Sequence, residues 1–282
     1  MRKKIIFGQP SIGNEEINYI SKVVRSKWIG SGNITEKFER KFKIYKNSKY
    51  ALSVNSCTAA LHLSLIYCGI KRNDEVITTP MTFASTINSI AMVGAKPILA
   101  DIDPETFNIN PKNIEKKITK KTKAILLVHL AGLPCDLTKI TKIAKKYKLK
   151  IIEDCAHAIE SKYNNKHVGN FGNTGCFSFY STKNLTTGEG GMIICKDRNI
   201  YNKLRVARLH GLTKDAWKRY LPESVKKKKY EHYDVSEIGF KYNMIDINAA
   251  MGIVQLNKIQ KHWKIRKSLF NLYKKKLIGL PL

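Results

Sequence analysis

Between residues 48 and 153, short apolar runs alternate with stretches in which apolar residues return every three or four positions. The runs at 50–54, 75–79, 96–102, 123–130 and 149–153 predict strands, and the stretches at 58–67, 82–92, 111–118 and 137–147 predict helices between them. Ala124-Ile125-Leu126-Leu127-Val128 shows no polar alternation, the pattern of a strand covered on both faces. This order of elements predicts an α/β fold with a mostly parallel central sheet between helices, joined by right-handed crossovers.

Beyond residue 160 the rhythm changes. Residues 163–166 read as a turn, 176–180 and 191–195 as short strands, and 199–209 as a helix. The polar stretch 213–237, with Lys226 to Lys229 inside it, predicts an excursion from the body. From 245 to 277 the steps between Ile247, Met251, Val254 and Ile259 predict one long helix or two joined ones. The domain division that follows is 1–245 for an N-terminal arm and a large domain, and 246–282 for a connecting helix and the start of a smaller domain.

The chain's 282 residues, 43% of them hydrophobic and 26% charged, suffice for a full core. Only Ile5, Ile6 and Phe7 follow the basic N-terminus before polar turn formers, too few for a signal-peptide core. The longest apolar run, 124–133, contains His129 and falls far short of a membrane span. A cytoplasmic protein is expected. The six cysteines lack the spacing of a zinc site and read as reduced core residues, so no metal is expected.

A formal charge of +29 raises nucleic-acid binding as a reading. Nine of the 51 basic residues are arginine, so 42 are lysine, the weaker choice for bidentate recognition, and they spread over nearly every predicted helix. A coat of solvated lysine is the simpler account. A basic nucleic-acid-binding regulator is the reading from another class, and it predicts steeply salt-dependent binding.

The chemistry-bearing residues cluster in three places. Lys183 follows the strand-like Phe177-Ser178-Phe179-Tyr180 and precedes Gly188-Glu189-Gly190-Gly191; it is a candidate reactive amine or a surface lysine. Asp154 ends an apolar strand, where α/β sheets place ligand groups, and is a candidate acid or a helix cap, with His157 three residues on. The strand-to-helix turn Asn55-Ser56-Cys57-Thr58 offers free N–H groups and hydroxyls to a phosphate, or simple capping. An amine, a distant acid and a phosphate-sized site point to pyridoxal 5'-phosphate (PLP) chemistry, with Phe83 a candidate stacking ring or a core residue. Arg208 and His210 are candidates for a substrate phosphate or for helix-end capping. Neither a P-loop nor a Gly-x-Gly-x-x-Gly turn is present.

Taken in order, Trp28-Ile29-Gly30-Ser31-Gly32, the segments 55–62, 80–88, 94–103, 129–132, 153–158 and 177–191, and Lys241-Tyr242-Asn243 with Ala249-Ala250 resemble the DegT/StrS-type sugar aminotransferases. That family has the aspartate aminotransferase fold, that of fold type I PLP enzymes. The resemblance implies Lys183 as the Schiff-base lysine, Asp154 as partner of the pyridine nitrogen, His157 beside the phenolic oxygen and Phe83 on the ring. It implies phosphate contacts from Cys57, Thr58 and Ser178, and from Asn243 of a second subunit, hence a homodimer with shared sites. It implies transfer of an amino group from an amino acid, usually glutamate, to a nucleotide-linked keto-sugar for polysaccharide biosynthesis, with Lys183 as general acid and base. Family members usually continue into a small C-terminal domain, of which this chain is expected to carry only the start. That expectation admits a second reading, a PLP-binding remnant without turnover. The related sugar dehydratases carry histidine in place of the lysine, and Lys183 argues against them.

Overall fold

The computed structural model describes residues 6–213 and 234–280. Most of the expected excursion at 213–237 lies outside the described residues. The strands are β1 (Tyr50–Val54), β2 (Glu75–Thr78), β3 (Lys96–Leu99), β4 (Thr122–Val128), β5 (Lys150–Asp154), β6 (Lys162–Tyr163), β7 (Lys166–His167), β8 (Thr174–Ser178) and β9 (Gly191–Cys195). The helices are α1 (Asn14–Arg25), α2 (Asn33–Lys46), α3 (Cys57–Tyr67), α4 (Ala84–Met92), α5 (Pro111–Lys116), α6 (Leu137–Lys146), α7 (Arg198–Ala207) and α8 (Asp246–Lys276).

Seven strands form one sheet in the order β1-β9-β8-β5-β4-β2-β3. β9 runs antiparallel to both of its neighbours, and the other six strands share one direction, so the sheet is mostly parallel as the pattern predicts. α3, α4 and α7 cover one face; α2, α5, α6 and the first half of α8 cover the other. β6 and β7 form a separate hairpin at the predicted 163–166 turn, where Asn164 and Asn165 take the left-handed conformation that Asn tolerates in such turns.

Most boundaries shift by one or two residues from the sequence reading, and three of the shifts have a clear local reason. The strand expected over 96–102 stops at Leu99, because β3 is an edge strand and the chain next enters a turn in which Asp103 accepts the amides of Glu105 and Thr106. The helix expected from 82 begins at Ala84: the turn after Pro80 leaves Phe83 extended, with φ −74° and ψ 150°. The strand expected to reach 130 ends at Val128, ahead of a turn in which Ala131 and Gly132 have positive φ. α1 and α2 precede the stretch in which the alternation is read, and the long C-terminal helix is a single one.

The N-terminal and C-terminal helices are locked together by polar groups. α2 has no side-chain cap of its own, because Gly32 stands at its N-cap. The carboxylate of Asp246, at the start of α8, instead accepts from the amides of Gly32 (2.8 Å) and Thr35 (2.9 Å) and from the Thr35 hydroxyl (2.6 Å). An anion at that helix end satisfies free N–H groups and opposes the helix dipole. Gly252 lets α8 press on Phe38, since a Cβ there would come within 2.6 Å of the ring. Phe38 and Phe42 of α2 pack in turn on Phe177 and Phe179, with ring centres 5.2 to 5.5 Å apart.

α2 ends on a fully buried lysine. Lys46 Nζ donates to the Ile159 carbonyl at 3.0 Å and lies 4.5 Å from the centre of the Phe177 ring. Burial lowers its pKa to about 8, against the opposing pull of Cys155, Glu153 and Glu160. The folded chain therefore releases this proton near pH 8 while the unfolded chain holds it to about 10.4, so stability from this site rises across that window, by about 3 kcal/mol in all. Lys46→Met should be at least as stable as the wild type at pH 7, and its advantage should shrink as pH approaches 10. Denaturant melts of both proteins from pH 7 to 10 test this; parallel pH curves would show that Lys46 is not the titrating group.

Candidate active site

The pleat of β5 sends successive residues to opposite faces. Ile151 and Cys155 join the core on the α2 side, and Ile152 joins the core beneath α3 and α4. Glu153 is fully buried and accepts from the amides of Gly169 (2.7 Å), Phe171 (2.7 Å) and Gly172 (2.6 Å), and from His129 Nε2 (3.2 Å). Because the Cys135 amide donates to His129 Nδ1, the proton of this imidazole sits on Nε2. Burial alone would raise the Glu153 carboxyl, but these donors outweigh it and hold it below its ordinary value. His129, Glu153 and Cys155 bring ligand-type atoms within 4.8 Å of one another, yet the carboxylate oxygens are already taken up by protein donors, so the cluster reads as a structural staple.

Asp154 is 4% exposed at the C-terminal end of β5. It accepts from the Ala156 amide at 3.0 Å and the Thr86 hydroxyl at 2.9 Å. Burial pushes its pKa up, and those two bonds together with His157 and His129 offset only part of the effect.

Opposite stands the N-terminus of α3. The Ser56 side chain caps the Ala59 amide at 3.1 Å, which leaves the amides of Cys57 and Thr58 directed out of the helix. Gly191 brings β9 against this turn, and a Cβ there would lie 2.6 Å from the Ser56 carbonyl and 2.8 Å from the Cys57 amide nitrogen. Beyond β8, the Lys183 amide donates to the Tyr180 carbonyl, and Thr186 and Thr187 fold the loop back onto Phe179.

These elements enclose a cavity of about 560 Å³. Cys57, Thr58, Phe83, Asp154, His157, Ser178 and Lys183 all line it, so seven of the eight residues expected at the site come together from four separate segments. Phe83 is 79% exposed at the mouth, with its ring free to be covered. The His157 imidazole is held below its ordinary pKa by loss of water and by Lys183, against Asp154.

Asn243 does not line this cavity. Its Nδ2 donates to Ser31 Oγ at 2.6 Å, and it borders a second cavity of about 500 Å³ between α2, β1 and α7. Arg208 also lies at that second cavity, buried and bonded to Glu39 and to the Ser53 carbonyl, and His210 lines neither cavity, so neither residue reaches the space around Lys183. Sequence reading missed Thr82 and Thr86. Their four-residue spacing is ordinary for a helix start, and the partner that gives it meaning, Asp154, is 68 residues away.

The enclosed set fits PLP. The volume is that of a small-molecule site, two helix N-terminal amides and a nearby serine hydroxyl suit a phosphate, and a desolvated carboxylate with no lysine or arginine paired to it among the described residues suits a protonated ring nitrogen.

Comparison with known proteins gives the same picture. The profile of the DegT/DnrJ/EryC1/StrS aminotransferase family matches residues 10–282. The spore coat polysaccharide biosynthesis protein SpsC of Bacillus subtilis is 41% identical over 98% of this chain and 69% of its own. The GDP-perosamine synthase of Escherichia coli O157:H7 is 40% identical over 96% of this chain and 71% of its own. Among solved structures, the PMP form of Spr1654 from Streptococcus pneumoniae superposes with a TM-score of 0.90 at 33% identity, covering 98% of this chain and 73% of that one. The described residues contain no helix long and apolar enough to cross a membrane.

The contact at Gly191 yields a prediction. Gly191→Ala should displace the first turn of α3, weakening PLP binding about tenfold or more and destabilising the fold by about 1–3 kcal/mol. Absorbance titration with PLP, beside a thermal melt, measures both; wild-type affinity would show that this close approach does not hold the phosphate donors.

Proposed function

The chain belongs to the DegT/DnrJ/EryC1/StrS aminotransferase family, and from that premise we propose that it is a PLP-dependent aminotransferase that moves an amino group from an amino acid, glutamate in our reading, to a nucleotide-linked keto-sugar for polysaccharide biosynthesis. The observation that carries the proposal is the convergence of Lys183, Asp154, the α3 N-terminus and Phe83 on one cavity. The sugar class draws on relatives whose names specify a GDP-linked sugar and a coat polysaccharide. When bound, PLP supplies an aldehyde that condenses with amines and a ring that takes up the electron pair left by a broken C–H bond.

The chain's own residues have divisible tasks in this reading. The amides of Cys57 and Thr58, with the Ser178 hydroxyl, would hold the phosphate at the positive end of α3. Asp154 would keep the ring nitrogen protonated: an ion pair at about 4 Å in an effective dielectric of about 20 would be worth about 4 kcal/mol, or roughly three pKa units. His157 would stand beside the cofactor's phenolic oxygen, and the exposed Phe83 ring would cover its flat face. Lys183 would be the amine that anchors the cofactor, and once released it would take and return the proton at the carbon of the donor or sugar.

Asn243, turned away from its own cavity, is proposed to act on the cofactor of a second copy, which makes a homodimer with shared sites the working unit. Light scattering should then give a mass near two chains at assay concentration; a monomer with full activity would remove the shared site.

With PLP added, the purified protein should show a visible band that bleaches on addition of excess glutamate. Lys183→Ala should lose the covalent band, and an unchanged spectrum would refute its assignment. Asp154→Asn should still take up the cofactor at saturating PLP, with lower affinity, and lose roughly 100-fold or more in kcat. Wild-type turnover in that variant would take Asp154 out of its role.

A further inference from the structure

Asp154 is the terminus of a buried chain of hydroxyls. Thr86 is 0% exposed in the first turn of α4, and its Oγ1 lies 2.9 Å from Asp154 Oδ2 and 2.7 Å from Thr82 Oγ1. Among the described residues, those are the two partners of the Thr86 hydroxyl; it makes no bond to its own helix backbone. The chemistry sets the direction of the chain. An ionised carboxylate only accepts, so Thr86 donates its single proton to Asp154 and must accept from Thr82, a residue of the cavity wall. Phe83, the ring at the cavity mouth, sits between the two threonines in sequence, so a single turn carries both the ring contact and the support of the carboxylate.

We propose that Thr86, polarised by Thr82, is a positioning residue that keeps Asp154 ionised and fixes its second oxygen, so that the remaining lone pairs face the cofactor's ring nitrogen; this rests on the PLP reading of the site. Burial works against the charge on Asp154, and the Ala156 amide is the only other donor bonded to it among the described residues. A β-branched threonine suits the task because its χ1 is restricted, which holds the hydroxyl at one bearing. The titratable groups facing Asp154 are Cys57 from α3, His129 after β4, Cys155 and His157 after β5, Cys176 in β8, and Lys183 beyond β8. Of these, the buried thiols are held well above neutral pH by burial and stay uncharged, so the acid-side titration reports on Asp154 and His157.

The test compares Thr86→Val, Thr86→Ser and Thr82→Val with Asp154→Asn as control. PLP affinity is measured by absorbance from pH 4.5 to 8, and kcat and KM are measured at pH 7.5. Removing a donor to an anion raises the pH at which that anion is protonated. In Thr86→Val the pH below which PLP affinity falls should therefore rise by about one unit, equivalent to about tenfold weaker binding on the falling limb. In the same variant kcat should drop about tenfold with KM within about threefold, the mark of a group that serves the reacting complex. Thr86→Ser should restore both, and Thr82→Val should move both the same way by a smaller amount, which keeps the test open if Thr86→Val fails to fold. A wild-type pH profile in Thr86→Val beside a damaged Asp154→Asn would overturn this inference alone. A wild-type Asp154→Asn would overturn the reading beneath it as well.

Discussion

The structure around the site depends on how one buried carboxylate is satisfied. Glu153 lies fully buried in the sheet, and an ionised group there is tolerable only if every lone pair finds a donor. Three backbone amides from 169–172 and the His129 imidazole supply them. This ties the ends of β4 and β5 to the loop that enters β8, three parallel strands whose last residues, Val128, Asp154 and Ser178, line the cavity with Lys183. Because side chains alternate along a strand, fixing Glu153 on one face fixes the bearing of Asp154 on the other.

The two neighbouring carboxylates show how environment divides labour between identical chemistry. Glu153 has a full set of donors and is held below its ordinary pKa; Asp154 has two hydrogen bonds and is pushed above it. A carboxylate short of partners inside a cavity is a charge waiting for a counter-charge, and a protonated ring nitrogen meets that need. The α3 N-terminus is the complementary case, an excess of donors awaiting an anion, and Gly191 allows it to approach the strand ends closely.

The body carrying the site is closed by groups far apart in sequence. Asp246 caps α2 across more than two hundred residues, and Glu16 of α1 accepts from both Gln255 and Lys258 of α8. These contacts bind α1 and α2 to the first half of α8, which is buried as far as Ile259. They are side-chain interactions between helices with heavily charged outer surfaces, although the apolar stripes beneath, Ile20 with Val23 in α1 and Ile34 with Phe38 and Phe42 in α2, follow the helical period in the sequence itself.

Local pattern was enough for the sheet strands, most of the helices, and the chemical types gathered at Lys183, Asp154 and the 55–58 turn. Those features follow from short-range physics: strand and helix periods, helix-end amides and the flexibility of glycine. Assigning roles to these residues drew on the resemblance of ordered motifs, because a lone lysine or aspartate has no signature of its own. Tertiary structure decided which of them share a cavity, placing seven together and setting Asn243 and Arg208 apart in another. It also decided that Thr86 supports Asp154 and that Lys46 is buried. Each of these rests on a contact between segments tens of residues apart, and the energy of such a contact exists only once the sheet has brought the strand ends together.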